Sequence, residues 1–151
     1  MDEIDVEILN CLRENARAKL STIAERVCLS VTATADRIRK LEKSGIITGY
    51  GITIDERKVG RDISALISVS IEHPRYNDDF INQVNAHPDI LECLYVTGDY
   101  DFSLKVVTSG SEGLEKVLNF VKGIKGVSLT RTLVILKTVK SEISVHPTAD
   151  K

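Results

Sequence analysis

The sequence predicts an α+β chain in which a helix-turn-helix arrangement comes first and a βαββαβ unit follows. Apolar residues recur at helical spacing from Ile4 to Leu41, then at every second position from Ile63 to Ile71. A short break, Cys28-Leu-Ser30, separates two helical patterns in the first part. In the second part, strand and helix patterns follow in the order strand, helix, strand, strand, helix, strand, ending at about Lys140.

The first helix is expected over residues 3–15, with Asp2 as its cap and Ile4, Ile8, Leu9 and Leu12 on one face. Ser21 is placed to cap the second, whose inward residues are Ile23, Ala24 and Val27. Ser30 is placed to cap the third. There Val31, Ala35, Ile38 and Leu41 share one side, with Thr34 near its edge. Thr32, Ala33, Asp36, Arg37, Arg39, Lys40 and Lys43 are left on the other. Gly45 ends this helix. Residues 46–54 read as a strand interrupted by glycines, which would make the domain a winged helix-turn-helix.

Residues 55–61 are charged and short, as a linker is. Strand alternation follows from Ile63 to Ile71 until Pro74 breaks it, and residues 79–85 read as a helix. Two strands, 90–97 and 101–108, are joined tightly through Gly98-Asp-Tyr100. Ser111 is placed to cap a helix through Lys122, with Leu114, Val117, Leu118 and Val121 inward. A last strand runs from Val127 to about Lys140. The order is that of a ferredoxin-like fold, whose helices cover one sheet face only. Val134 and Leu136 point opposite to Leu133 and Ile135, so both faces carry apolar residues. A second copy of the chain would cover the bare face. The domains expected are therefore 1–50 (helix-turn-helix), 51–61 (strand and linker) and 62–145 (βαββαβ).

Composition narrows the functional classes. At 151 residues and 42% hydrophobic, the chain is long and apolar enough for two small cores. No apolar run approaches the roughly 20 residues of a membrane span, and the acidic start is unlike a signal peptide, so a cytoplasmic protein is expected. Cys11, Cys28 and Cys93 are odd in number and far apart, which suits reduced thiols better than disulfides or zinc. His73, His87 and His146 fall in loops without ligand spacing, with His73-Pro74 and His87-Pro88 as turn elements. No metal, cofactor or catalytic residue is expected, because no nucleophile–base set, P-loop or dinucleotide fingerprint is present.

The net charge of −2 does not announce nucleic acid. Its distribution is more telling, because positions 37–43 hold four bases, Arg37, Arg39, Lys40 and Lys43, against the single acid Glu42. A helix after a three-residue turn is the element that enters a DNA major groove. Thr32 and Ala33 lie toward the start of its outward face, and Arg37, Arg39 and Lys40 extend it; arginine can pair with guanine through two hydrogen bonds. Ser21 and Ser30 stand at helix starts, where N–H groups and a hydroxyl can hold a phosphate, although plain capping explains them as well. Asp36 is expected to pair with Lys40 within the helix. One such helix is a small interface, so double-stranded DNA carrying a pseudo-palindromic site is the expected partner.

Several phrases, in this order and spacing, resemble the leucine-responsive regulatory protein family (Lrp/AsnC). They are Ile4-Asp-Val-Glu-Ile-Leu9, Ile23-Ala-Glu-Arg-Val27, Leu29-Ser30, Arg37-Ile-Arg-Lys-Leu-Glu42, Gly45-Ile-Ile-Thr-Gly-Tyr50 and Val96-Thr-Gly-Asp-Tyr-Asp101. The resemblance covers Asp2 to about Lys140. The family commonly has glycine where Cys28 stands and proline where Val31 stands, so Cys28 must supply the turn without glycine's freedom. By themselves Gly98, Asp99, Tyr100 and Asp101 read as a β-hairpin turn. The resemblance implies instead that this loop and the last strand line an amino-acid effector pocket between two ligand-sensing domains. Backbone N–H groups near Gly98 would hold the carboxylate, Asp99 or Asp101 the ammonium, and Tyr100 would close over the ligand, with Thr130 and Thr132 offering hydroxyls.

The function implied is a sequence-specific transcription regulator, not an enzyme, that works as a homodimer or a higher assembly such as an octamer, away from membranes. Two alternatives stay open. One is an architectural DNA binder without an effector. The other is an enzyme similar to the sirohaem decarboxylases, although the second half has only Arg75 and Arg131 to offer a tetrapyrrole's carboxylates.

Overall fold

A cap and two arginines organise the first helices. In a computed structural model, which describes residues 1–149, α1 (Glu3–Glu14) starts at Asp2, whose carboxylate accepts from the Asp5 N–H at 2.8 Å. The Asp5 carboxylate accepts in return from the Asp2 N–H, closing a capping box. α2 (Leu20–Arg26) and α3 (Val31–Lys43) follow. Ile8, Cys11, Ile23, Val27 and Leu41 make the core of this unit. Arg26 donates from Nε to Glu7 at 2.5 Å and from Nη1 to Glu14 at 2.9 Å, tying α2 to α1.

Local rules misplace two caps. Ser21 lies inside α2, which begins after Lys19 with no side-chain cap; the Lys19 carbonyl accepts from Thr22 and Ile23 instead. Ser30 does cap α3, its hydroxyl accepting from the Ala33 N–H at 3.1 Å. The inward face of α3 is rotated from the expected one. Thr34 is wholly buried, its hydroxyl donating back to the Ser30 carbonyl at 3.0 Å, while Val31 is 48% exposed. Residues 46–54 form no strand, because no neighbouring strand pairs with them in a single chain, so the wing is not formed here. The N–H groups of Ile46 and Ile47 go to the Leu41 carbonyl, and the Tyr50 hydroxyl donates to Glu42 at 2.8 Å.

The second unit is built on β1 (Ile63–Ile71), α4 (Asn77–Asn85), β2 (Ile90–Tyr95), β3 (Phe102–Thr108), α5 (Gly110–Gly123) and β4 (Val127–Val134). The sheet order is β2-β3-β1-β4, all antiparallel. Ile67, Val69, Phe102, Leu104 and Val106 point at the helices and pack with Phe80, Val84, Val117, Val121 and Ile124. The opposite face carries Leu66, Leu94, Leu129 and Leu133, from 37% to 56% exposed. The apolar second face expected from the sequence is therefore present and bare.

Ser111 lies within α5, which starts at Gly110 and is capped from another element: Asp62 accepts from the Gly110 N–H at 2.7 Å. α4 starts at Asn77, ahead of the expected Asp79, because a 3-10 turn (Pro74–Tyr76) leads into it. Its turn is closed by His73, whose Nδ1 accepts from the Arg75 N–H, and His87 does the same for Asp89. β4 ends at Val134, short of the expected Lys140. Grouped by contact, residues 1–53 and the tail from Lys140 form one unit and Ile54–Val139 the other. In this grouping residues 140–145 pack with the helices.

Candidate functional site

Cys28 holds a left-handed backbone (φ 54°) between α2 and α3, the only described non-glycine residue to do so. That bend lies in the turn between α2 and α3. Thr32, Arg39, Lys40 and Lys43 are exposed along α3, and Ala33 is half-buried. Arg39 pairs with Asp36 at 3.1 Å, so the expected Asp36–Lys40 pair does not form. Lys40 makes no ion pair among the described residues. Ser21 is exposed on the first turn of α2, and Ser30 is exposed at the start of α3.

Arg37 does not belong with this outward set. Its Nη1 donates to Asp2 at 2.7 Å and to Asp5 at 2.8 Å, binding α3 to the start of α1. The Asp5 N–H, then the Arg37 guanidinium, hold the Asp2 carboxyl below its usual range. Asp5 and Asp2 in turn push the Arg37 guanidinium up. Periodicity alone places Arg37 outward, because it cannot show that two acids from the chain's start lie over that part of the helix. Asp2 is the cap of α1 and Asp5 lies in its first turn, both far from Arg37 in sequence.

In the other unit, Gly98 (φ 119°), Asp99, Tyr100 and Asp101 join β2 to β3. Asp101 is tied down. Its N–H donates to the Val69 carbonyl at 2.9 Å, its carbonyl accepts from Val96, and its Oδ2 accepts from the Ile71 N–H at 2.7 Å. The Ser70 hydroxyl donates to the Asp99 carbonyl at 3.4 Å. The N–H groups of Gly98, Asp99 and Tyr100 have no acceptor among the described residues. Thr130 is paired in register with Val69 and Thr132 with Ile67, both half-buried on the helix-covered side. The loop and Thr130 therefore flank the end of β1, about two strand spacings or 10 Å apart. No group of three or more metal-ligating side chains occurs among the described residues. No described helix is long and apolar enough to cross a membrane.

A helix-turn-helix with a solvent-facing basic helix, carried by a chain with a separate four-stranded sheet unit, defines a DNA-binding regulator with a second module. The comparisons with known proteins agree. The AsnC-type helix-turn-helix domain matches residues 1–42, and the Lrp/AsnC ligand binding domain matches residues 64–145. The chain belongs to the Lrp/AsnC family and is a DNA-binding transcriptional regulator of that type. It is similar to the HTH-type transcriptional regulator FL11 of Pyrococcus horikoshii, at 35% identity over 93% of this chain and 92% of that protein. Its fold is similar to a Neisseria meningitidis transcriptional regulator solved as an L-Met complex, with a TM-score of 0.92 and 29% identity over 96% of each chain. A feast or famine regulatory protein of M. tuberculosis complexed with L-methionine matches with a TM-score of 0.89 and 31% identity, over 97% of this chain and 99% of that one.

Proposed function

We propose that this regulator binds a pseudo-palindromic DNA site as a homodimer or larger assembly, and that an amino acid entering the sheet unit modulates it. The observation that carries the effector is the Gly98–Asp101 loop, where three successive free N–H groups stand beside a carboxylate already fixed by the Ile71 N–H. Free N–H groups suit a carboxylate, and Asp99, exposed and without a side-chain partner among the described residues, suits an ammonium. Thr130 bounds the other side of β1, with Thr132 next along the same face. Tyr100, half-buried in the loop, would close over the ligand. The two similar proteins solved with methionine support an amino acid as the class of ligand.

Assembly is supported by Leu66, Leu94, Leu129 and Leu133, an apolar face too rich in leucine to stay in water. On DNA, Thr32, Ala33, Arg39 and Lys40 would enter the groove, while Ser21 and Ser30 hold flanking phosphates. Arg37 supports the helix that presents them. The effector would act by favouring one spacing of the paired α3 helices, which it can do only by binding one assembly more tightly than another. Fluorescence-anisotropy titration against the protein's own upstream DNA and a scrambled duplex, with and without each amino acid, tests this. A marked upstream preference that one amino acid shifts is expected. Equal binding to both duplexes would defeat the sequence-specific reading.

A further inference from the structure

Among the described residues, the four strands carry three charged side chains: Glu92 on β2, Lys105 on β3 and Arg131 on β4. All three stand on the bare face. Arg131 is in register with Ser68, Ser68 with Ser103, and Ser103 with Leu94, which makes one row across the sheet. Leu133, Leu66, Lys105 and Glu92 make the next row. Residues level with one another in an antiparallel sheet share a face. The exposed Leu66, Leu94 and Leu133 put both rows on the side away from the helices.

Glu92 and Arg131 are exposed and Lys105 is half-buried. Lys105 lies level with Glu92, yet none of the three makes an ion pair among the described residues. Glu92 and Arg131 occupy opposite edges, three strand spacings or about 14 Å apart, too far to meet within one copy. Glu56, at a corner of this face, already accepts from the Ser64 hydroxyl at 3.0 Å. A second copy covering the leucines takes these charges out of water, where a charge without a partner is costly. Their partners then have to come from across the interface.

A two-fold axis relating stacked sheets can run across the strands or along them. Across the strands, it lays β4 on β4 and β2 on β2, which turns Arg131 toward the partner's Arg131 and Glu92 toward the partner's Glu92. Along the strands, it lays β4 of each copy over β2 of the other, and opposite charges face each other twice. Packed sheets lie about 10 Å apart, and the two rows are offset by about 7 Å along the strand. Extended arginine and glutamate side chains together span that separation.

We infer that the homodimer takes this second orientation, fixed by two symmetric ion pairs in which Glu92 meets the partner's Arg131, with Lys105 flanking the same carboxylate. This orientation rests on the leucine face self-associating, the reading already given for assembly. A copy presented the other way round, or a chain without the complementary charge, is rejected by like charges or by an unpaired one.

Sedimentation velocity and native mass spectrometry of the full chain test it. Glu92→Arg and Arg131→Glu should each weaken the dimer about tenfold or more, with circular dichroism unchanged. Mixed one to one, these two variants should form a heterodimer in preference to either homodimer, because both arginines of one copy then meet acids of the other. Both reversals in one chain should recover most of the self-association. If a reversal misfolds, Glu92→Gln and Arg131→Gln serve instead, and the double variant should dimerise no more weakly than the weaker single one. Single reversals that leave the dimer intact while Leu133→Glu still dissociates it would overturn the pairing alone. So would a mixture that fails to form the heterodimer. A monomeric wild type would overturn the pairing together with the assembly it rests on.

Discussion

Among the described residues the helical unit has a small cluster of buried side chains around Ile8 and Leu41, whereas the sheet unit has a larger one that includes Phe80 and Phe102 with ring centroids 4.8 Å apart. The smaller core is supplemented by charge. Arg26 and Arg37 each bridge two acids, and every one of those acids sits on α1 or its cap. The sheet unit needs fewer such ties and leaves four leucines in solvent on its other face. The difference teaches how each surface is spent. Two arginines of the helical unit are committed to its own fold, so its cations for DNA are few. The sheet unit, with the larger buried core, leaves an apolar face uncovered.

The largest effect expected is in the sheet core. Phe102→Ala removes a wholly buried ring that touches Phe80 and Tyr95, and should cost about 3–5 kcal/mol in urea denaturation. The comparison would break if a truncation in the smaller core, Ile8→Ala for instance, cost more. Next comes the bare face. Leu133→Glu should leave the fold intact by circular dichroism yet yield monomers in sedimentation equilibrium, with DNA affinity down by about a hundredfold as two-site binding is lost.

Smaller changes separate the basic residues of α3. Arg39→Ala with Lys40→Ala should weaken DNA binding about tenfold without altering the melting temperature, and lower the salt slope by about 1 per lost phosphate contact. Arg37→Ala should instead lower the melting temperature of the helical unit by a few degrees. The Asp2 pKa is depressed on folding, so its contribution is full above the unfolded value of about 3.9 and is lost as pH falls through the folded one. The gap between wild type and Arg37→Ala should therefore close on acidification below about pH 4, as thermal melts across pH would show. The smallest effect is a gain. Cys28→Gly relieves a left-handed backbone and should add about 0.5–1 kcal/mol in thermal denaturation.

Much of the fold was legible because it rests on periodicity. The helices, the strands and their order follow from where apolar residues repeat, and Asp2 and Ser30 cap where local rules put them. Ser21 and Ser111 were misjudged for one reason: a serine near a helix start is a good cap, but Lys19 and Asp62 define those starts through the backbone or from afar. The ion pairs of Arg37 were not legible either, since its partners lie 35 and 32 residues away. The effector loop was recognisable as a turn, yet Asp101's bond to Ile71 could not be read from a hairpin signature.

By itself the sequence determined the class of the protein: a helix-turn-helix, a βαββαβ order and a run of family phrases survive in one dimension because each depends on neighbours a few residues apart. Only the tertiary structure decided which charged groups are free. Arg39 and Lys40 stay outward, whereas Arg37 is drawn to α1. Those outcomes depend on groups brought together from distant parts of the chain, and no local pattern of polarity encodes such meetings.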